Sequence, residues 1–374
     1  MKKVIQRNIE ASAGKILLKL YGNYTLRKSK LCSKTVFLPK ARITMHYLEG
    51  NNDHGEETEL DRPTLLFCHG ITDRAKNLSS FISSLNIPSN VRILIPDAMG
   101  HGKDLKRFIL KGGSSSNKKK LIPSPNTPTS MDVLNSTIEL LEVLKVKRCN
   151  VFGISMGGAL AYYLRYKRPD LIYKTVLVSP AINHCLGKEF VEEFQSGQKN
   201  HFCFESRQDV KVLMRDLASY PPSKKKKKKN PIPKFFLEAI FQLSNDQPKG
   251  HFRKVFESFL EDRNNNDEDL LFMVSDRDID KYSPRLVIWP ENDYICNYKK
   301  GEEFFENSSL TTFQSIPNCG HVFHDDKRGI YDVILPLLQA TEYLLDFDQK
   351  GGVDNMATTR GPERIEITTE SSKN

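Results

Sequence analysis

The sequence predicts an α/β fold: a mostly parallel, doubly wound sheet with a helical cap inserted between two late strands. Three observations predict it. From residue 64 onward, short and continuously apolar runs alternate with segments of helical periodicity. The polar residues that stand out lie at the carboxyl ends of those runs, where open α/β sheets bind ligands. Roughly 100 residues separate the run at Thr175 from the run at Arg285, far more than a strand-to-strand crossover needs.

Taken in chain order, residues 64–69 (TLLFCH) read as a strand that ends in His69-Gly70. A helix over 76–85 leads to residues 92–98 (RILIPDA), a strand ending in Met99-Gly100-His101-Gly102. Val133, Leu134, Ile138, Leu141 and Leu144 recur at three-to-four spacing, which predicts a helix over 131–146 with Ser130 as its N-cap. Residues 150–154 form a strand that runs into Gly153-Ile154-Ser155-Met156-Gly157-Gly158, and a helix follows over 159–166. Later strands are expected at 175–178, 285–289 and 311–316, and later helices at 299–306 and 330–345. Strands without a polar face need both faces covered, hence the parallel sheet.

Inside the long insertion, residues 233–243 carry Phe235, Phe236, Leu237, Ile240 and Phe241 at helical spacing, and residues 251–260 carry Phe252, Val255, Phe256 and Phe259. The sheet pattern resumes directly afterward, so residues 182–280 are expected as a cap over the site and not as a detached domain. The remaining divisions are a basic amphipathic segment at 1–40, two parts of the core at 41–181 and 281–348, and a disordered tail at 349–374.

The chain has 374 residues, of which 39% are hydrophobic, and carries a net charge of +10. That basicity is unevenly placed. Lys118 to Lys120 and Lys224 to Lys229 hold nine lysines, residues 1–40 hold +9, and the rest of the chain is at −8. The lysine runs, with residues 50–62, 111–128 and 261–269, are too polar to bury and read as solvated loops. No nucleic-acid-binding pattern accompanies the charge, so nucleic acid is not an expected partner. Seven cysteines without CxxC spacing suit a reducing compartment. The first 21 residues lack the apolar core of a secretory signal, and no stretch reaches the ~20 apolar residues of a membrane span. The expected location is intracellular, cytoplasmic or peripheral on a membrane, and not secreted. Val4, Ile5, Ile16, Leu17, Leu18, Leu20 and Tyr21 among Lys2, Lys3, Arg7, Lys15 and Lys19 fit an in-plane membrane contact, a helix packed on its own domain, or an organellar presequence.

Gly153-Ile154-Ser155-Met156-Gly157 fits G-x-S-x-G between a strand and a helix. Such a bend holds its serine at the apex, and Gly153 and Gly157 keep side chains out of the turn. Serine is a weak nucleophile and needs a base, which in turn needs an orienting acid. His321, after the last strand, is the expected base, with His324 as competitor. Asp293, after the 285–289 strand, is the expected acid, with Glu291 as competitor. Backbone N–H groups of Met156 and Ile71 are the expected oxyanion donors. His69 and His101 are expected to bond loop backbone. The histidines lack metal-ligand spacing, so neither metal nor other cofactor is implied.

Together the segments FCHG, DAMGHG, GISMGG, VIWPENDYI and IPNCGH resemble α/β-hydrolases of the monoacylglycerol lipase type, in particular the membrane-associated α/β-hydrolase-domain monoacylglycerol lipases. The resemblance runs from about residue 15 to residue 345 and is weaker in the cap. It implies hydrolysis of a monoacylglycerol ester through an acyl-serine, with nucleophile, acid and base at Ser155, Asp293 and His321 and oxyanion positions at Ile71 and Met156. An acyl lipid is then the partner, and oligomeric state stays open. This chain departs from the family in having Ile71 where Phe is frequent and Pro290 where Gly is usual, and in lacking a spanning N-terminal helix. A general carboxylesterase, a carbon–carbon bond hydrolase on the same triad, and a non-catalytic ligand receptor are the alternatives.

Overall fold

The computed structural model describes residues 2–51, 62–102, 128–199, 201–218, 234–245, 250–261, 284–306, 308, 310–317, 319–321 and 340–347. Most of the loop stretches expected at 50–62, 111–128 and 261–269 lie outside these residues. So do the lysine run at 224–229, the tail at 349–374, His324, and the predicted 330–345 helix before residue 340.

Eight strands form one sheet: β1 (Cys32–Leu38), β2 (Ile43–Gly50), β3 (Thr64–Cys68), β4 (Arg92–Pro96), β5 (Cys149–Ile154), β6 (Ile172–Val178), β7 (Arg285–Pro290) and β8 (Thr311–Ile316), in the order β1-β2-β4-β3-β5-β6-β7-β8. β1 and β2 form an antiparallel hairpin, β2 pairs antiparallel with β4, and every later pairing is parallel. The hairpin corrects the sequence reading: the sheet begins before the expected core boundary at residue 41. On the open edge of the sheet, β1 alternates exposed and half-buried residues. An edge strand buries too little to show the continuous apolar run that betrays β3 to β7.

Side chains of successive strand residues go to opposite faces, and both faces are packed. Leu66, Leu94, Val151, Leu177, Val287 and Trp289 lie in one apolar cluster. Their neighbours Leu65, Ile93, Phe152, Val176 and Ile288 lie in the other. The helices are α1 (Lys2–Lys28), α2 (Ala75–Ile82), α3 (Ser130–Val143), α4 (Met156–Lys167), α5 (Lys188–Gln195), α6 (Arg207–Ala218), α7 (Lys234–Asn245), α8 (His251–Glu261) and α9 (Tyr298–Phe305). Residues 340–345 form a further helical segment. Its Ala340 and Leu344 join α2 residues Leu78 and Ile82 in the second cluster.

Two starts differ from the sequence reading. The N-cap of α3 is Thr129, not Ser130. Thr129 Oγ1 accepts from Asp132 N at 3.1 Å and Thr129 N donates to Asp132 Oδ2 at 2.9 Å, a reciprocal box that a lone Ser130 would not provide. Helix α4 begins at Met156, directly after Ser155, three residues earlier than periodicity suggests, because Gly157 and Gly158 carry no apolar marker.

Between β6 and β7 lie α5, α6, α7 and α8. Phe190, Phe194, Phe202 and Phe256 pack edge-on or tilted against one another, with Phe194 and Phe256 centroids 4.8 Å apart. This aromatic cluster joins α5 to α8. It is tied to the core at several points: His251 Nε2 donates to Gly100 O at 2.8 Å, Asn183 Nδ2 to Phe259 O at 3.2 Å and Ser258 Oγ to Pro128 O at 3.3 Å.

Candidate active site

Sheet register brings the site together. Cys68 of β3 stands opposite Gly153 of β5, so the loop after β3 and the bend after β5 leave the sheet side by side. A Cβ added to Gly70 would be 3.4 Å from Ser155 Cβ and 3.9 Å from its Oγ. The loops after β7 and β8 are joined by Glu291 N to Ile316 O and Asn292 N to Cys319 O, each 3.0 Å, and these bonds draw Asp293 toward His321.

Ser155 sits at the strand-to-helix bend with φ 56° and ψ −119°. This left-handed side of the map is strained for a residue with a Cβ. The bend is held by Ser155 N donating to Val178 O at 2.9 Å and by Ser155 O accepting from Ala159 N at 3.1 Å and Ala181 N at 3.0 Å. A side chain at Gly153 would run into the Gly157 carbonyl, and one at Gly157 into the Cys68 carbonyl. Both glycines are therefore sterically required.

His321 Nε2 lies 2.9 Å from Ser155 Oγ, and His321 Nδ1 lies 2.7 Å from Asp293 Oδ2. All three residues are buried. The second carboxylate oxygen of Asp293 accepts from Ile295 N at 2.9 Å and Cys296 N at 2.8 Å. An ionised carboxylate accepts only, so Nδ1 carries the proton and the Nε2 lone pair faces the serine hydroxyl. This line of bonds can move a proton off Ser155 while the aspartate steadies the resulting imidazolium.

Glu291, the competing acid, is exposed and accepts from Ser315 Oγ at 3.1 Å, while the histidine bonds Asp293. The two backbone donors to Asp293 were not read from the sequence. An aspartate bonding N–H groups two and three residues ahead is a recognisable Asx-type signal, and Asp293-Tyr294-Ile295-Cys296 carries it. Met156, the first residue of α4, presents its N–H at a helix N-terminus, where the dipole favours negative charge. Ile71 lies in the turn beside Gly70 and packs on the first cluster.

The loop carrying Ile71 is braced by histidines. His69 Nδ1 lies 2.8 Å from Gly70 O and its Nε2 accepts from Ala98 N at 3.0 Å. A second serine–histidine–aspartate line runs from β1 through β2 to the residue after β4. Ser33 Oγ is 2.8 Å from His46 Nε2, His46 Nδ1 is 2.7 Å from Asp97 Oδ2, and Asp97 Oδ1 accepts from Ala75 N at 2.7 Å. Ser33 lies within the exposed edge strand β1, away from any strand-to-helix bend, so this line fixes the start of α2. The cap grips the acid loop directly. Tyr294, next to Asp293, donates to Glu193 of α5 and accepts from Lys199 Nζ at 3.1 Å.

Asp293, Cys296 and His321 bring three metal-ligating atoms within 4.8 Å of one another. The aspartate and histidine use their atoms on each other and on backbone N–H groups. Burial pushes the Cys296 thiol pKa well up, so it stays protonated, a poor metal ligand.

His101 donates from Nδ1 to Met99 O at 3.2 Å and is fully enclosed beside His69 and Phe252. Burial pushes its pKa from 6.5 down to about 3, and burial also lowers that of His251. Below pH 6.5 the unfolded chain takes up a proton at His101 that the folded chain refuses until about pH 3, so stability falls as pH falls through that window. The expected slope is about 1.4 kcal/mol per pH unit for this one group. Urea unfolding at several pH values from 6.5 down to 5 checks it: His101→Asn should be less stable at neutral pH but show a shallower decline. Parallel declines would remove His101 as the cause.

Comparison with known proteins bears on the fold that carries this site. A 126-residue stretch is 29% identical to an sn-1-specific diacylglycerol lipase of Danio rerio, covering 33% of each chain. A 118-residue stretch is 27% identical to an uncharacterized protein of Mycobacterium tuberculosis, covering 31% of this chain and 29% of that one. The chain thus spans about a third of the length of these curated relatives. A membrane phospholipase A described as a bacterial virulence factor shares the fold with TM-score 0.64 and 17% identity, over 90% of this chain and 95% of that one. A naproxen esterase of Bacillus subtilis does so with TM-score 0.56 and 15% identity, over 86% and 94%. The family model for the alpha/beta hydrolase fold matches residues 63–328, a span that holds β3 to β8, the strained bend at Ser155, Asp293 and His321, and the chain belongs to that family.

Proposed function

We propose that this protein is a serine hydrolase that cleaves the carboxylic ester of a monoacylglycerol through an acyl-serine intermediate. The observation that carries the reading is the continuous line Ser155 Oγ–His321–Asp293 at a strained strand-to-helix bend. As Ser155 Oγ attacks the ester carbonyl carbon, His321 Nε2 takes its proton. The negative charge that forms on the carbonyl oxygen is met by the N–H groups of Met156 and Ile71. His321 then passes the proton to the departing glycerol oxygen, leaving the acyl group on Ser155. Water, deprotonated by the same nitrogen, releases the fatty acid and restores the serine.

Two observations favour an acyl lipid. Met156, the residue after the nucleophile, lines a small crevice with Ser130, Val133, Leu134, Leu160, Tyr163 and Phe259, so the wall beside the bend is almost wholly apolar. The Danio rerio relative is a diacylglycerol lipase and one structural neighbour a phospholipase.

Purified protein is tested on a panel of monoacylglycerols and short water-soluble esters, with released acid quantified. A kcat/KM for long-chain monoacylglycerol at least about tenfold above that for an acetyl ester is expected, since each buried methylene adds transition-state binding. Turnover confined to short esters would remove the lipid assignment and leave the serine mechanism in place.

A further inference from the structure

Helix α1 leaves large apolar residues exposed. Over residues 12–28, the face turned to the protein combines small or polar residues with half-buried Leu18 and Leu26, the latter packed on the second apolar cluster. A Cβ at Gly14 would meet the Phe235 carbonyl and Ala239 Cβ of α7, Gly22 faces Lys76, and buried Thr25 Oγ1 lies 2.7 Å from Ser79 Oγ of α2. The face turned outward is apolar: Ile16 is 58% exposed, Leu17 48%, Leu20 58%, Tyr21 58% and Tyr24 60%. At 3.6 residues per turn these five share an arc of about 140°. Single exposed apolar residues are ordinary, but a continuous stripe of five large ones on a single helix face marks an interaction surface.

Charge identifies the partner. Exposed Lys19 borders the stripe, and exposed Arg27 and Lys28 continue its line at the carboxyl end of the helix. Glu10 is the only acid among the first 40 residues, which carry +9, whereas the rest of the chain outside the two lysine runs is at −8. A stripe of Ile, Leu and Tyr edged by cations matches the boundary of an anionic bilayer, where the apolar groups enter the acyl region and the cations meet lipid phosphates. A protein groove would need no such one-sided charge. The exposed apolar residues run along the side of α1, so contact is in the plane; no helix among the described residues is long and apolar enough to cross a membrane.

We propose that the outward face of α1, built from Ile16, Leu17, Leu20, Tyr21 and Tyr24 and edged by Lys19, Arg27 and Lys28, docks the protein on an anionic lipid surface with the helix axis lying in the membrane plane. The inner face of α1 rests on cap helix α7, so docking would hold that cap helix behind α1, one helix layer from the lipid surface. This deepens the proposed acyl-lipid reading but is independent of catalysis.

The test uses the 374-residue chain carrying Ser155→Ala, so the outcome does not depend on hydrolysis. Flotation is measured with vesicles of phosphatidylcholine alone and with about 30% phosphatidylserine added. Expected are binding to the anionic vesicles, at least about tenfold weaker binding to neutral ones, and weakening as salt rises. Leu20→Glu and the pair Lys19→Glu with Lys28→Glu should each lower anionic-vesicle binding by about tenfold. Their side chains are exposed, so thermal melting should stay unchanged. Retention of binding by Leu20→Glu overturns the proposal. So does a dimer in sedimentation velocity that Leu20→Glu dissociates while vesicles fail to bind, since the stripe would then meet a second copy of the chain.

Discussion

Replacing Ser155 with alanine should abolish labelling by a fluorophosphonate probe and lower ester hydrolysis by about a millionfold, to the level left by binding and oxyanion contacts alone. The loss follows from position. Oγ is the atom 2.9 Å from His321 Nε2, and its backbone is locked by bonds to Val178, Ala159 and Ala181 that alanine keeps. The variant should therefore fold and bind ester normally. The second serine–histidine–aspartate line makes the labelling experiment decisive. Mass spectrometry of wild-type protein should place the probe on Ser155 and not on Ser33. Probe recovered from Ser33 in the Ser155→Ala variant, or undiminished turnover, would move the nucleophile elsewhere. Folded wild-type protein that takes up no probe would support a non-catalytic receptor.

Asp293→Asn should lower kcat by about ten-thousandfold with KM nearly unchanged. One carboxylate oxygen accepts from the backbone N–H groups of Ile295 and Cys296. An asparagine in the same place must turn its carbonyl oxygen to those donors, which leaves its NH2 facing His321 Nδ1. The imidazole then shifts its proton to Nε2 and donates to Ser155 Oγ when it should accept. The base is lost although every side chain keeps its place. Activity measured with rising pH separates this from simple disruption. A deprotonated serine at high pH needs no base, so part of the deficit should return. A variant that is inactive at every pH and melts far below wild type would instead mark Asp293 as a structural residue. Asp293→Glu should not rescue, because the longer side chain displaces the oxygen held by Ile295 and Cys296.

Much of the site was legible in the chain because its parts are local. The bend at Ser155 is spelled by small residues two before and two after it. His321 and Asp293 each follow an apolar strand by a few residues. What escaped notice has weak local signatures. β1 and β2 mix Lys34, Thr35, His46 and Glu49 with apolar residues, and a half-covered edge hairpin has no continuous run to detect. Ser33 and Asp97 are 64 positions apart and meet only because β2 pairs with both β1 and β4.

Sequence by itself determined the alternation of strands and helices, the elbow at Ser155, and the choice of base and acid types, since each depends on spacing within a few residues. Tertiary structure alone decided that Asp293 and not Glu291 faces His321, that Asp97 holds the loop ahead of α2, and which face of α1 looks outward. Amphipathic spacing shows that a helix has two unlike faces, but which is covered depends on what packs against it. Here Phe235, Ala239, Lys76 and Ser79 approach closely where Gly14, Gly22 and Thr25 leave room, so that face turns inward with Leu26, and Ile16, Leu17, Leu20, Tyr21 and Tyr24 are exposed.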